Sequence, residues 1–258
     1  MHALLMPAKK RLPVGRRAPA AHVKEVRRIV RANRETIAAH AKWLRQLSKS
    51  QDWNNHRNYD LIIGMWKGVG VGIESRLAYR AKKNNGKLRI WEDGPGKGYF
   101  GGALKEELTR KGIHAHLTAT TLNKKEIVPT EREFFEEVRA GKSELFVPKA
   151  PFDFIFSTVG SMNYTPPLLR KQHLLKMAYS LGHGGQMFVA FYHHPNGNQD
   201  ERRKAIVGSL LDHPPKKPIH VGEEMGAIMK AFAKRGFMAR FHYLDVHDGI
   251  VGLHIVRK

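Results

Sequence analysis

Residues 88 to 98 read Leu88-Arg89-Ile90-Trp91-Glu92-Asp93-Gly94-Pro95-Gly96-Lys97-Gly98, an apolar strand that ends in a carboxylate and turns through three alternating glycines. Glycine lacks a Cβ and tolerates positive φ, so this turn passes bare backbone beneath a ligand. The helix expected next, from about Tyr99 to Arg110, points its N-terminus at the same place. A chain with this segment is constrained to put a strand, a tight turn and a helix around one polar, nucleotide-like ligand.

Three cofactor classes use such turns. A P-loop needs Ser or Thr directly after its lysine, whereas Lys97 is followed by Gly98, and the four-residue gap between glycines is missing. A dinucleotide turn is matched by Gly96, Gly98 and Gly101 in a strand-to-helix setting. Its acid about 20 residues further on has no counterpart in the segment His116-Leu117-Thr118-Ala119-Thr120-Thr121-Leu122-Asn123. The third reading includes the acid itself, as Glu92-x-Gly94-x-Gly96-x-Gly98.

That last pattern resembles the cofactor loop of the class I S-adenosylmethionine-dependent methyltransferases, and the order of the following segments resembles the family too. A helix (about 99 to 111), a strand (113 to 119), an acidic helix (129 to 140), a third strand at Leu145 to Val147 and a fourth at Asp153 to Ser157 come first. A helix from Leu168 to Leu181 then leads through Gly182-His183-Gly184-Gly185 into a strand from Gln186 to Tyr192. A helix from Glu223 to Arg235 and two strands, 237 to 245 and 250 to 256, close the chain. The resemblance spans about residues 60 to 258. It implies an α/β fold: a Rossmann-like, seven-stranded, mostly parallel sheet with an antiparallel last strand and helices on both faces.

It implies S-adenosylmethionine as cofactor and assigns roles by position. Gly94, Gly96 and Gly98 would pass the methionine moiety, Glu92 would face its amino end, and Ser157 and Thr158 would lie beside it. The family commonly offers a carboxylate to the ribose at the end of its second strand. This chain departs there, offering Thr120, Thr121 or Asn123, and no adenine-contacting acid can be placed after the third strand. The acceptor would lie over the ends of the fourth and fifth strands, at residues 157 to 164 and 192 to 196. Asn163, Tyr164 and His193 are the catalytic candidates, with His193 or His194 able to take a proton at neutral pH. The Asn/Asp-Pro-Pro-aromatic segment of amino-methylating members is not matched by Ser157-Thr158-Val159-Gly160. The Lys-Asp-Lys-Glu set of ribose methylation has Ser157 where its Asp is expected. With no cysteine in the chain, cysteine-based pyrimidine methylation, disulfides and cysteine-ligated zinc are all excluded. No metal site is expected.

Without the resemblance, the apolar runs Phe152 to Phe156 and Met187 to Phe191 read only as buried parallel strands. Gly184-Gly185 reads equally as a helix C-cap.

Charge is the second constraint. Residues 1 to 87 hold 20 Lys+Arg against 5 Asp+Glu, which is +15 of the chain's net +22. Residues 22 to 48 read as an amphipathic helix. Val23, Val26, Val30, Ile37, Ala41, Leu44 and Leu47 form its stripe, while Lys24, Arg27, Arg28, Arg31, Arg34, Lys42 and Arg45 occupy other faces. Docked on the domain, it would add a cationic wall beside the active site. The expected partner is RNA or a ribonucleoprotein, held through residues 1 to 50 by counterion release. Trp53, His56, Tyr59 and Trp66 are available for base stacking or for helix packing. Gly64, Gly68, Gly70 and Gly72 indicate close packing or a break near Gly68.

The division expected is a basic arm (1 to 22), a basic helical extension (23 to 85) and the methyltransferase domain (86 to 258). No apolar run approaches the roughly 20 residues of a bilayer span, so no membrane partner is expected. The expected compartment is the cytoplasm, or an organellar matrix if residues 1 to 22 act as a presequence. A methyltransferase acting on RNA or a ribonucleoprotein is the leading reading. Its alternatives are a small-molecule O- or N-methyltransferase and a non-catalytic RNA- or ribosome-binding protein with a degenerate fold.

Overall fold

In a computed structural model of the chain, which describes residues 18–32, 59–158, 162, 165, 167–192, 224–245 and 250–258, the first strand is an interior strand of the sheet. β1 (Lys87–Asp93) pairs in parallel with β2 (His114–Thr121) on one side and with β4 (Phe152–Ser157) on the other. β3 (Glu137–Ala140) adds to β2, and β5 (Leu181–Tyr192) adds to β4. β7 (Ile250–Arg257) then runs antiparallel between β5 and β6 (Phe237–Asp245), giving the order β3-β2-β1-β4-β5-β7-β6. This is the seven-stranded sheet expected from the sequence.

Side chains alternate across the sheet, and two apolar clusters result. On one face Leu88, Ile90, Leu117, Phe154 and Phe188 meet α2 (Tyr59–Gly68), α3 (Ile73–Lys83) and α4 (Tyr99–Arg110) through Trp66, Leu77 and Leu104. Tyr59 and Trp66 are core residues here, Tyr59 stacked on Phe100 and Trp66 edge-on to Phe188. On the other face Trp91, Ile155, Met187 and Leu253 meet α6 (Pro167–Tyr179) and α7 (Gly226–Ala233). α1 (Ala18–Ala32) lies outside α6, burying Val26 and Ile29.

Several boundaries differ from the sequence reading. The acidic helix over 129 to 140 is only one turn, α5 (Pro129–Arg132), and the third strand is Glu137–Ala140 rather than Leu145–Val147. Its Glu and Arg residues favour helix, but the outer edge of β2 needs hydrogen-bond partners, and that tertiary demand overrides propensity. Ser143–Leu145 is instead a 3-10 turn with Leu145 exposed. The basic helix begins at Ala18 rather than 22, and residues 33 to 48 of the expected helix lie outside the described residues. The break at Gly68 is present, whereas close packing at Gly64 and Gly68 is not, since a Cβ at either would meet nothing.

Asp153, expected to open the fourth strand, does so at the end away from the glycine turn. It accepts from Arg80 Nε (2.7 Å), Asn84 Nδ2 (2.8 Å) and the Arg89 N–H (2.9 Å), which fastens α3 to the sheet. Nearby, Phe152 pairs with Leu181 and Phe154 with Gln186, so residues 182 to 185 bulge out of register instead of forming a helix C-cap. A Cβ on Gly185 would lie 2.9 Å from the Phe152 carbonyl oxygen and 3.2 Å from that of Asp153. Backbone cannot move aside as a side chain can, so Gly185→Ala is expected to cost about 1–3 kcal/mol, read as a lower urea midpoint at unchanged m-value.

Candidate functional site

The C-terminal ends of β1, β2 and β4 carry the candidate residues. Gly94, Gly96 and Gly98 have φ of 66°, 55° and 91°, the left-handed region in which a side chain is strained. The Gly94 N–H donates to the Thr120 carbonyl (3.0 Å) and the Gly98 N–H to that of Pro95 (2.9 Å), closing the turn onto α4. The glycines differ in what lies above them. A Cβ on Gly96 would meet nothing within 4 Å, whereas one on Gly98 would strike Ile127 at 2.8 Å and Glu131 at 3.0 Å. Gly101 and Gly102 are covered by Phe135, Phe134 and Glu131 in the same way. Gly96 therefore faces open space, while the later glycines let the segment after β2 cross close over α4.

Glu92 is 1% exposed, and no side chain pairs with either carboxylate oxygen. Burial and then the charge of Asp93 push its carboxyl up to about 8, against a partial opposing pull from the Gly101 amide. It lies against Gly101 in the first turn of α4. An unpaired buried carboxylate is costly, and a cation brought beside it favours the ionised form by lowering the pKa of the carboxyl.

Asp93 points to the opposite face. Burial raises its carboxyl, but His173, Ser143 and the Lys176 charge outweigh that and hold it below the ordinary carboxylate range. His173 Nε2 lies 3.2 Å from Asp93 Oδ2 and 3.1 Å from Ser143 Oγ. Lys176 Nζ sits 4.8 Å over the Trp91 ring and donates to the Ser143 and Phe146 carbonyls. Burial pulls its ammonium down to about 8, with Asp93 and Glu144 acting the other way. Nearly two turns earlier, Arg170 donates to the Met162 carbonyl (2.9 Å), the Thr165 carbonyl (2.8 Å) and Glu224 Oε1 (2.7 Å). Arg170, His173 and Lys176, at i, i+3 and i+6 on one face of α6, are each no more than 2% exposed. Together they hold the segments that follow β3 and β4. Their spacing was visible in the sequence, where the helix was read for its position alone.

The expected ribose contacts divide. Thr120 Oγ1 accepts from Trp91 Nε1 (2.9 Å) and donates to Asp93 Oδ1 (3.1 Å), so it is committed to the interior. Thr121 Oγ1 donates to Glu126 Oε2 at 2.7 Å. Asn123 caps the 3-10 turn Lys124–Glu126 by accepting from the Lys125 N–H (3.0 Å), and this turn returns Glu126 to the strand end. Burial raises the Glu126 carboxyl, opposed by Thr121 and Asn123. The sequence reading stopped at the strand and missed this carboxylate. Ser157 is buried at the end of β4, and Thr158, half-buried, follows it. Asn163, Tyr164 and His193 lie outside the described residues. Among the described residues no three of His, Asp and Glu stand close enough to hold a metal ion, and no helix is long and apolar enough to cross a membrane.

The chain matches no protein-family model and no curated protein. Its fold is similar to solved structures. Magnesium protoporphyrin IX methyltransferase from Synechocystis, solved with bound SAH, aligns over 93% of this chain and 96% of its own at 13% identity and a TM-score of 0.50. An S-adenosylmethionine-bound amino pentose methyltransferase from Micromonospora echinaspora aligns over 76% of this chain and 95% of its own, at 13% identity and a TM-score of 0.48. At such identities the likeness concerns the fold.

The raised Glu92 carboxyl has a stability consequence. The folded chain holds that proton up to about pH 8, while the unfolded chain releases it near 4.5. Stability contributed by this group therefore falls as pH rises from 4.5 to about 8 and is level above. Glu92→Gln is expected to remove that slope and to be the more stable protein at pH 8, by an amount of the order of a few kcal/mol. Thermal denaturation of both proteins across that range reads it; parallel curves would contradict the raised value.

Proposed function

We propose that this chain is an S-adenosylmethionine-dependent methyltransferase acting in the cytoplasm, with RNA or a ribonucleoprotein as its acceptor. The observation that carries the cofactor is that Gly96, left-handed and open, follows a buried carboxylate that no side chain compensates. A ligand bearing an ammonium group and a nucleoside fits that combination. Gly94, Gly96 and the N-terminus of α4 would hold its methionine part, and Glu92 would compensate the ammonium. Thr121, Asn123 and Glu126 would meet the ribose hydroxyls, with Ser157 and Thr158 alongside.

Such a cofactor supplies a methyl group activated on a sulfonium. The chain's own task is to align a nucleophile at about 3 to 3.5 Å and to keep water away. In this reading Asn163 and Tyr164, bracketed by the Arg170-bound carbonyls of Met162 and Thr165, orient the acceptor. His193 takes its proton where the nucleophile starts protonated. The net charge of +22 supports a polyanionic acceptor. A small-molecule acceptor is the second reading, favoured by the porphyrin named for the Synechocystis structure. A non-catalytic RNA-binding protein is the outcome if the cofactor does not bind.

Isothermal titration calorimetry with S-adenosylmethionine, S-adenosylhomocysteine and NAD tests the proposal. The first two are expected to bind at micromolar levels and NAD not at all. Gly96→Asn, a residue tolerated at positive φ, places a side chain in the open space and is expected to weaken S-adenosylhomocysteine binding at least about tenfold. Equal affinity in the variant would remove the loop from the site. Tritiated-methyl transfer to total RNA against small-molecule extracts then separates the two acceptors.

A further inference from the structure

The sequence placed the basic helix as a cationic wall beside the active site; the described part of it stands elsewhere. Around Tyr179 four charged side chains from three parts of the chain converge. Glu25, Arg28 and Arg235 all act on its hydroxyl, whose proton is held more tightly chiefly through burial and then through Glu25. Arg257 donates to its carbonyl at 3.2 Å. Tyr179 closes α6 just before β5 begins at Leu181. It is thus at the N-terminal end of the parallel strands, opposite the glycine turn that follows Asp93. At about 3.3 Å per residue, the seven residues of β1 separate the two ends by roughly 20 Å.

The surface around this corner is almost purely cationic. Lys24, Arg27, Arg28 and Arg31 of α1 are exposed, as are Lys230 of α7 and Lys234 and Arg235 just after it. The one acid of α1, Glu25, is already bound by Arg28 at 2.6 Å and 2.8 Å, and residues 226 to 235 contain none. The charge therefore comes from both ends of the sequence, and α7 contributes a part that was not legible in the N-terminal region.

We infer that this corner is an RNA-docking face, separate from the methyl-transfer site and contacting phosphates without reading bases. The inference deepens the RNA reading above but does not depend on the cofactor. A bilayer is disfavoured because α1 uses Val26 and Ile29 against the domain, and its other described side chains are charged apart from Val30 and Ala32. A DNA major groove is disfavoured because α1 lies flat on α6 and does not project. A flat basic surface suits the backbone of RNA, which is recognised largely by shape and phosphate. A small acceptor cannot touch both this face and the pocket, so the face anchors a large one.

The test is fluorescence anisotropy of the full chain with a labelled RNA hairpin over a KCl series. It compares wild type with Arg27→Gln/Arg31→Gln/Lys234→Gln and with Lys82→Gln/Lys83→Gln/Lys87→Gln. The second triple removes equal charge from exposed positions on α3 and the start of β1, at the same strand end but on the opposite face of the sheet from α1. Deleting the N-terminal region would strip Val26 and Ile29 from the core, so substitutions are used. The first triple is expected to weaken RNA binding at least about tenfold and to flatten the log-log salt slope by about 2. The second is expected to change both by much less, and S-adenosylhomocysteine affinity is expected to be the same in all three proteins. No RNA binding by wild type, equal losses in the two triples, or tighter binding to phosphatidylserine vesicles or duplex DNA than to RNA would each overturn the docking face. Salt-sensitive binding through the face with no S-adenosylhomocysteine binding would leave the face standing and remove the cofactor reading.

Discussion

The ammonium of Lys176, buried over Trp91 beside Asp93, is the contact on which the surrounding structure depends. Two carboxylates end β1 inside a sheet covered on both faces, where charges cannot stand without compensation. Asp93 is compensated by Lys176 and His173, and the same two side chains fix Ser143 and Phe146 beyond β3. Arg170, nearly two turns before Lys176 on α6, fixes Met162 and Thr165 beyond β4. One helix face thus carries the charge balance of β1 and the backbone satisfaction of two walls of the candidate site. Such networks are strong only when complete. Removing one member would leave the others buried and unpaired.

Glu92, the neighbouring acid, has no side-chain partner. The fold compensates the carboxylate on one face of β1 and leaves the one on the other face with a raised pKa. That asymmetry is the usual mark of a site in which binding, rather than stability, determines the residue. The glycines around it divide by function as well. Gly96 leaves room, whereas Gly98, Gly101 and Gly102 let Ile127, Glu131 and Phe135 approach α4 closely.

The charge of the chain is organised by distance from this site. Asp93 with its compensating bases lies at the C-terminal strand ends, while exposed arginines and lysines of α1 and α7 gather at the other end around Tyr179.

The order of strands and helices, the strand-turn-helix at Glu92 to Gly98 and the break at Gly68 were determined by the sequence, because alternation, glycine spacing and apolar runs are local properties of the chain. So was the cationic excess of its N-terminal third. The position of β3 was not legible, because a four-residue edge strand rich in Glu and Arg exists only through the ladder β2 offers it. Glu126 could not be assigned, because a capped 3-10 turn brings it back five residues beyond Thr121. Thr120 could not be removed from the ligand contacts until Trp91 and Asp93 were seen to bind it. The Arg170, His173 and Lys176 stripe was present as spacing, but spacing alone does not tell a solvated face from a buried one. Tertiary structure decided these points because each depends on what a side chain meets across the sheet, and the sequence carries no coordinate for that.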